Sequence, residues 1–345
     1  MKILKTPVFI FNKKILEYNY NYFESLCKKY LKNFKIAYSI KTNSFKEVIK
    51  TLTQKGGGFE VASFREIRLI PKKKFVVFNS PCKTEQELKI AIKNNFLINI
   101  DSKSELDKIS KILKGKPFKV GIRITTKNSK FGIQADKINE IINYAKSKNL
   151  KVICLHFHQG TQIGINYYEE NLQKFSDLIR NLNIPLEYID LGGGFPDKPG
   201  LKDLGLKLEN YFEVIKKYFY DFDKTIILEP GRALVSDCFE LLTCVKVIKE
   251  NFGKNYAILD AGINLLPKIT LSKYKFTKLQ DGECKEVEKK KEYILAGPLL
   301  FSNDILGKFY GILKEGDIIK VENVGAYCYN LAWEISYKKP KIILF

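Results

Sequence analysis

The sequence predicts an α/β fold: a (β/α)8 TIM-type barrel followed by a C-terminal β domain. Short apolar strand patterns alternate with amphipathic helix patterns between residues 35 and 228. No Gly-x-Gly-x-x-Gly motif follows the first of these strands, which argues against an open doubly wound sheet. Beyond about residue 235 strands follow one another across turns, and this pattern indicates a separate β domain.

The barrel elements are assigned from hydrophobic periodicity. Each predicted strand is a short apolar run, and each predicted helix has apolar residues on one face. The predicted strands cover residues 35–40, 59–62, 74–78, 96–100, 118–124, 152–157, 186–191 and 225–228. The predicted helices cover residues 45–54, 64–69, 85–94, 103–113, 136–147, 167–182 and 208–220.

A further set of strand patterns predicts the β domain. The charged stretch 277–291 is predicted to form a surface hairpin or loop. An N-terminal strand over 7–12 is expected to complete this domain, as a β-sandwich or barrel. The predicted domains are therefore 15–235 for the barrel, and 1–14 with 236–345 for the β domain. The predicted C-terminal strands cover 239–249, 256–260, 293–296, 317–321 and 341–345.

The composition is that of a globular protein, with 45% hydrophobic and 28% charged residues among 345. A net charge of +21 favours anionic partners, but the lysines are scattered and no nucleic-acid-binding motif accompanies them. We expect no nucleic-acid partner. No apolar run reaches the roughly 20 residues of a membrane helix, and no signal-peptide pattern is present. We expect a cytoplasmic protein without membrane contact.

No metal site is predicted. The seven cysteines include no Cys-x-x-Cys pair, and Cys154 lies in an apolar strand pattern typical of a core residue. His156 and His158, the two histidines, face the same side of one predicted strand because strands have a period of two. They could bind a metal, but no acidic or sulfur residue nearby in the sequence completes a ligand set.

Lys41 ends the first predicted barrel strand and precedes the turn-forming residues Thr42, Asn43 and Ser44. Its amine is either a solvated charge or a Schiff-base nucleophile whose pKa is lowered by its neighbours. The residue alone does not decide between these interpretations.

Two later strand ends carry residues suited to a phosphorylated cofactor. Asp190-Leu191 is followed by Gly192, Gly193 and Gly194, which let backbone N–H groups approach a phosphate. The segment Glu229-Pro230-Gly231-Arg232 places an acid and a base at a rigid turn, where the acid can hold a pyridine nitrogen and the base a phosphate. Together with Lys41 they predict a pyridoxal 5'-phosphate site at the carboxyl ends of the barrel strands.

The sequence resembles the barrel-type (alanine-racemase-like fold) pyridoxal-phosphate decarboxylases of basic amino acids, such as diaminopimelate and ornithine decarboxylases. The resemblance covers nearly the whole chain in the family's order. It rests on Ala37-Tyr38-x-x-Lys41-x-Asn43, Phe59-Glu60-Val61-Ala62-Ser63-x-x-Glu66, Lys130-Phe131-Gly132-Ile133, His156-Phe157-His158-x-Gly160-Thr161-Gln162, Asp190 to Phe195, Glu229 to Arg232, Asp260-Ala261-Gly262-x-Asn264, Gly297-Pro298-Leu299 with Asp304, and Gly325-Ala326-Tyr327.

The resemblance implies roles for individual residues. Lys41 would form the internal aldimine, His158 would stack on the cofactor ring, and Glu229 would hold the pyridine nitrogen. Glu60 and Arg123 match acid and base positions near the cofactor. The residues implied to bind the phosphate are Gly193, Gly194, Gly231, Arg232, Tyr327 and Thr161. The family works as a homodimer with shared active sites, and its reaction is the loss of the α-carboxylate of an amino acid.

The substrate half of the site departs from the family pattern. The family places a cysteine and then an acidic residue after Gly-Pro-Leu, where this chain has Leu300 and Phe301. The cysteine usually donates a proton, and the acid usually holds the distal amine of the substrate. We therefore expect an atypical substrate with a less cationic far end, contacted by Arg123, Leu300, Phe301 and Asp304.

Two alternatives to a decarboxylase remain open. Loss of the usual proton donor could favour α-proton exchange, as in a pyridoxal-phosphate amino-acid racemase. A non-catalytic regulatory homologue is also possible, although it predicts decay of the cofactor residues and Lys41, His158, Glu229 and Tyr327 all persist.

Overall fold

The computed structural model describes residues 5–125, 127–182, 184–279 and 289–345. Cys284 and most of the charged stretch 277–291 lie outside these residues. The chain forms two compact units, Glu17–Leu234 on the one hand and Met1–Leu16 with Val235–Phe345 on the other. The domain boundaries predicted after residues 14 and 235 lie close to these divisions.

After a first strand, β1 (Val8–Phe11), the larger unit contains eight parallel strands and one two-residue strand beside them. The eight barrel strands overlap the eight predicted ones, so this part of the prediction is confirmed. The strands are β2 (Phe34–Ser39), β3 (Gly58–Val61), β4 (Val76–Asn79), β5 (Leu97–Ile100), β6 (Phe118–Thr125), β7 (Ile133–Gln134), β8 (Leu150–Phe157), β9 (Tyr188–Asp190) and β10 (Thr225–Leu228).

The eight strands close into a barrel. They pair in the order β5-β4-β3-β2-β10-β9-β8-β6, and β5 pairs in turn with β6. β7 lies outside this ring, beside β6. The strands are covered on both faces, as in β4, in which all four residues are buried, and this is typical of a parallel barrel surrounded by helices.

Helices connect the barrel strands, and most were predicted to within three residues at each end. α8, α10 and α11 were not predicted, because six- and four-residue helices carry too little periodicity to detect. The helices are α1 (Lys13–Tyr30), α2 (Lys46–Gln54), α3 (Phe64–Ile67), α4 (Glu85–Lys93), α5 (Lys103–Leu113), α6 (Ile138–Ser147), α7 (Ile165–Asn181), α8 (Lys198–Asp203), α9 (Leu208–Phe219), α10 (Arg232–Val235) and α11 (Cys328–Leu331).

The smaller unit is a mixed β structure with the strand order β13-β16-β11-β12-β14-β15. β1 pairs antiparallel with β11 and parallel with β17, which confirms that the N-terminal strand completes the β domain. The strands are β11 (Phe239–Asn251), β12 (Lys254–Leu259), β13 (Lys275–Lys278), β14 (Lys291–Ala296), β15 (Ile305–Gly311), β16 (Ile318–Glu322) and β17 (Ile342–Leu344).

Two strands of the smaller unit correct the sequence analysis. The predicted surface hairpin or loop 277–291 overlaps β13, whose four residues pair with β16, and β14 already begins at Lys291. β15 was missed altogether. Its glycines, Gly307 and Gly311, weaken a strand pattern, but pairing with β14 imposes the extended conformation.

The barrel interior begins with a compact apolar layer. Side chains from five of the barrel strands meet there and are almost fully buried, and Cys154 is among them, as predicted. The layer contains Ala37, Val77, Leu97, Ile153, Cys154 and Ile227. Among the described residues, no helix is both long and apolar enough to cross a membrane.

A buried ion pair braces the loop after β4. Lys83 is completely buried and its amine donates to the carbonyl oxygens of Ser80 (2.7 Å) and Asn99 (2.8 Å) and to both carboxylate oxygens of Glu105 (3.1 Å). Burial lowers the pKa of Lys83 and raises that of Glu105, because each charge has lost its water. The pair therefore depends on both partners being present.

We predict that Lys83→Met lowers the free energy of unfolding by about 3 kcal/mol, because Glu105 would be left as a buried carboxylate without its counter-ion. Urea denaturation of the purified protein measures this change. The matched control is Lys89→Met, which removes an exposed pair with Glu85 and should leave the midpoint near that of the wild type. Equal midpoints for the two variants would contradict the prediction.

Candidate active site

Lys41 lies in a single 3-10 turn, Ile40–Thr42, immediately after β2, as the sequence predicted. Its Nζ donates to Oε2 of Glu60 at 2.6 Å, and Ser39 Oγ donates to the same oxygen at 2.6 Å. The Lys41 side chain is 47% exposed whereas that of Glu60 is 1% exposed. A buried carboxylate thus holds an accessible amine at the end of a barrel strand.

A polar layer lies directly beyond the apolar one. Because alternate residues of a strand face the same side, the residue two positions after an apolar interior residue also points inward. On five strands the residue two positions after the apolar interior residue is polar. This spacing of an apolar and a polar residue is the sequence signal that could have identified the whole layer. The layer contains Ser39, Asn79, Asn99, His156 and Glu229.

Glu229, the residue after β10, is held by two of these neighbours. Asn79 Nδ2 donates to its Oε1 at 2.7 Å, and His156 Nε2 lies 3.6 Å from its Oε2. Burial opposes ionisation of Glu229, but attraction to His156, Lys41 and His158 outweighs it, and the pKa of the carboxyl group is lowered. Glu229 is therefore an ionised acceptor inside the barrel.

The expectation that no acidic residue accompanies the histidines is wrong. His156, Asp190 and Glu229 are all buried, and one potential ligand atom from each lies within 4.8 Å of the others. They come together because β8, β9 and β10 are neighbours in the barrel, although the residues are far apart in the sequence. Sequence proximity was the wrong criterion for this cluster.

His158 follows the end of β8 and contacts the glycine run after β9. Its Nδ1 accepts a hydrogen bond from the Gly193 N–H at 3.3 Å. Removal from solvent, together with the positive charge of Lys41, lowers the pKa of His158 to about 3. Its imidazole is thus neutral at physiological pH, which suits a ring that packs flat against another ring.

Only glycine fits at two positions of this rim, because the backbone passes close to neighbouring atoms. A Cβ on Gly193 would lie 2.4 Å from the Glu229 carbonyl oxygen, and one on Gly231 would lie 2.1 Å from Thr42 Oγ1. Gly194 has φ +97°, a conformation that L side chains rarely adopt. Thr42 Oγ1 is buried without a hydrogen-bond partner. A backbone free of side chains next to an unpartnered hydroxyl suits an anion such as a phosphate.

Arg232 begins α10, directly after Gly231, and Thr161 lies in the loop after β8. Arg232 is buried and its Nη1 lies 3.6 Å from Oδ2 of Asp197, an acidic residue that the sequence analysis did not identify. Thr161 is exposed, and the next residue, Gln162, donates from its backbone N–H to the Gly194 carbonyl at 3.0 Å. The loops after β8 and β9 are therefore fastened together.

Arg123 projects from β6 beside His156, its partner in the strand register. Its guanidinium lies 4.4 Å from the ring centroid of Phe131 and 3.9 Å from Asp101 Oδ2, and Asp101 also accepts the Gly132 N–H at 2.9 Å. The Lys130-Phe131-Gly132 motif is thus a clamp that orients Arg123.

In the smaller unit, Asp304 joins two loops. Its carboxylate accepts the backbone N–H groups of Ile263 (2.7 Å) and Leu299 (2.8 Å), and it is 2% exposed. Gly262 and Gly297 lie against it without room for a Cβ. This geometry favours a role in shaping the loop over direct substrate contact, which stays a prediction.

The loop that Asp304 shapes presents apolar side chains. Leu300 is fully exposed, and Phe301 packs edge-on against Trp333 with ring centroids 6.0 Å apart. Two hydrogen bonds join Asn264 to Trp333. The Trp333 N–H donates to the Asn264 carbonyl oxygen at 3.3 Å, and Asn264 Nδ2 donates to the Trp333 carbonyl oxygen at 3.4 Å. Tyr327 also lies in this unit, at the start of α11, in the left-handed conformation (φ 68°). Its predicted phosphate contact stays a prediction.

Comparison with known proteins decides the family. Residues 21–236 match the family model described as the pyridoxal-binding domain of pyridoxal-dependent decarboxylases. The chain belongs to this family. The predicted cofactor, pyridoxal 5'-phosphate, and the predicted amino-acid decarboxylase class are confirmed by this membership.

The relatives of this decarboxylase match it over almost its full length. Diaminopimelate decarboxylase of Archaeoglobus fulgidus is 28% identical over 93% of this chain and 83% of its own. The structure of diaminopimelate decarboxylase from Helicobacter pylori complexed with L-lysine is 27% identical, covers 99% of this chain and 92% of its own, and superimposes with a TM-score of 0.87. Lysine/ornithine decarboxylase from Vibrio vulnificus shares the fold at 21% identity, with a TM-score of 0.86.

We predict that His158 makes the folded protein less stable as the pH falls. The pKa of His158 is about 3 in the folded chain against an ordinary value of about 6.5, so the unfolded chain binds the extra proton first. Stability is full above pH ~6.5 and declines below it. Between pH 7 and pH 4 the free energy of unfolding should fall more steeply for the wild type than for His158→Gln. Parallel curves for the two proteins would refute the low pKa of His158.

Proposed function

We propose that this decarboxylase releases the α-carboxyl group of an amino acid as carbon dioxide, with pyridoxal 5'-phosphate held at Lys41. The observation that carries the proposal is one connected set of contacts. The Lys41 amine binds Glu60 at 2.6 Å, Asn79 approaches Glu60 at 3.4 Å, and the same Asn79 amide binds Glu229 at 2.7 Å. An accessible amine and a buried carboxylate are therefore held in one fixed relation.

The residues fit the cofactor at both of its polar ends. The glycine backbone at Gly193 and Gly231, with the unpartnered Thr42 hydroxyl beside Gly231, suits the phosphate, and the ionised Glu229 suits a protonated pyridine nitrogen. When bound, the cofactor supplies a ring that accepts the electron pair left by the departing carboxylate. Glu229 would keep a proton on that nitrogen, and the neutral His158 ring would cover one face.

The remaining assignments extend this site. Gly194, Arg232 and Thr161 adjoin the glycine run and would complete the phosphate contacts, with Tyr327 as a further candidate. Arg123, oriented by Asp101 and Phe131, would meet the substrate carboxylate as its guanidinium matches that group in charge and shape.

We also propose that the substrate has an apolar or weakly cationic far end. Leu300 and Phe301 stand where the family has a cysteine and an acidic residue, and both are exposed. An apolar side chain offers no ion pair to a distal ammonium group, and desolvating that charge against it is unfavourable. A homodimer with shared sites remains a proposal that rests on the family resemblance, and the cytoplasmic location remains a proposal that rests on the sequence pattern.

The central test is carbon dioxide release from a panel of L- and D-amino acids by purified protein with added cofactor, with the visible spectrum recorded alongside. Lys41→Ala should abolish both the release and the visible absorbance of bound cofactor, since the amine that holds it is gone. Lys50→Ala, an exposed lysine on α2, is the matched control and should retain both. A wild-type-like spectrum in Lys41→Ala would contradict the proposal, and α-proton exchange without release would indicate a racemase.

The substrate proposal predicts that Phe301→Asp raises the relative kcat/KM for diamino acids over apolar amino acids about tenfold, as a carboxylate can pair with a distal ammonium. The control is Tyr310→Asp, which adds the same charge at an exposed position of β15. An equal shift in both variants would mean that net charge, and not the position, is responsible.

A further inference from the structure

Asp190 and Glu229 form a buried pair of carboxyl groups. Asp190 ends β9 and Glu229 follows β10, the adjacent strand in the barrel. Asp190 is 0% exposed and Glu229 is 6% exposed. One carboxyl oxygen of Asp190, one of Glu229 and a ring nitrogen of His156 all lie within 4.8 Å of one another.

Neighbouring N–H groups hold each carboxyl group of the pair in place. Asp190 Oδ1 accepts the Gly192 N–H at 2.9 Å, and its Oδ2 accepts from Asn99 Nδ2 at 3.2 Å. Asn99 Nδ2 also donates to Asn79 Oδ1 at 2.9 Å, which in turn fixes the Asn79 amide that donates to Glu229. Two linked amides thus hold both carboxyl groups, and a hydrogen bond between two carboxyl groups requires one proton.

Electrostatics decides which group carries that proton. Two carboxylates this close in a barrel interior do not both ionise. Lys41 and His156 favour the charged form of Glu229, whereas the hydrogen bonds that Asp190 accepts come from uncharged donors, the Gly192 N–H and the Asn99 amide. Burial and the Glu229 charge raise the pKa of Asp190. The titratable and charged groups that face the pair are Lys41, Glu60, Arg123, Cys154, His156 and His158.

We propose that Asp190 is protonated in the folded protein and donates that proton in a hydrogen bond to Glu229. Asp190 is then a positioning residue that keeps Glu229 ionised and fixes its orientation. The location of the proton is a property of the chain itself. Its consequence for the cofactor nitrogen rests on the proposed function.

The location of the proton can be read by infrared spectroscopy of the purified protein at pH 7, without and with added pyridoxal phosphate. A carbonyl stretch of a protonated carboxyl group, shifted in deuterium oxide, should be present in the wild type and absent in Asp190→Asn. Glu66→Gln is the control, because Glu66 is another acid whose pKa is raised by burial, and it should keep the band. Absence of the band from the wild type, or its persistence in Asp190→Asn, would overturn the proposal.

The consequence for the cofactor is read from its affinity as a function of pH. Asp190→Asn retains a donor to Glu229 and should bind pyridoxal phosphate within about twofold of the wild type. Asp190→Ala removes the donor and should bind at least about tenfold more weakly, with the loss growing as the pH falls because the pKa of Glu229 rises. If Asp190 were ionised, both variants would relieve repulsion and bind more tightly, which would overturn the proposal.

These measurements separate the two proposals. A wild type that binds no pyridoxal phosphate would refute the proposed cofactor site, while the infrared band would still decide where the proton lies. A wild type that binds the cofactor but lacks the band would refute only the role of Asp190.

Discussion

The amide of Asn79 links the two acidic residues around which the barrel interior is arranged. It donates to Glu229, approaches Glu60, and accepts a hydrogen bond from Asn99. A side-chain amide can do this because its donor and acceptor are fixed in one plane. Leaving either buried carboxylate without its partner would cost about 1–3 kcal/mol, so the amide supports the geometry of both.

This polar layer is possible because it rests on an apolar one. Ala37, Val77 and Ile227 fill the barrel two positions earlier on the same strands, where they exclude water and supply packing. Closure of the barrel then brings the carboxyl ends of all eight strands to one rim. The apolar layer, which stabilises the barrel, and the polar layer, which forms the site, therefore follow one another along the same strands. A substitution in the polar layer does not require a change in the apolar layer.

The smaller unit uses a different device to present side chains. Asp304 and Asn264 satisfy backbone groups of neighbouring loops, so that Leu300 and Phe301 are held outward in spite of being apolar. Exposed apolar side chains at a constrained loop are characteristic of a binding surface. The residues that hold the loop are thus distinct from the residues that it presents.

Local periodicity and residues adjacent in the chain were enough to predict the eight-strand barrel, the β domain completed by β1, the cofactor and the position of Lys41. The tertiary structure decided which distant residues meet. Asn79, Asn99 and Asp197 carry no local motif, and Asp190 was noticed only as the start of a glycine run. Their roles arise because barrel closure places β4, β5, β9 and β10 around one interior, and the pKa of a buried carboxyl group depends on neighbours that the linear sequence does not reveal.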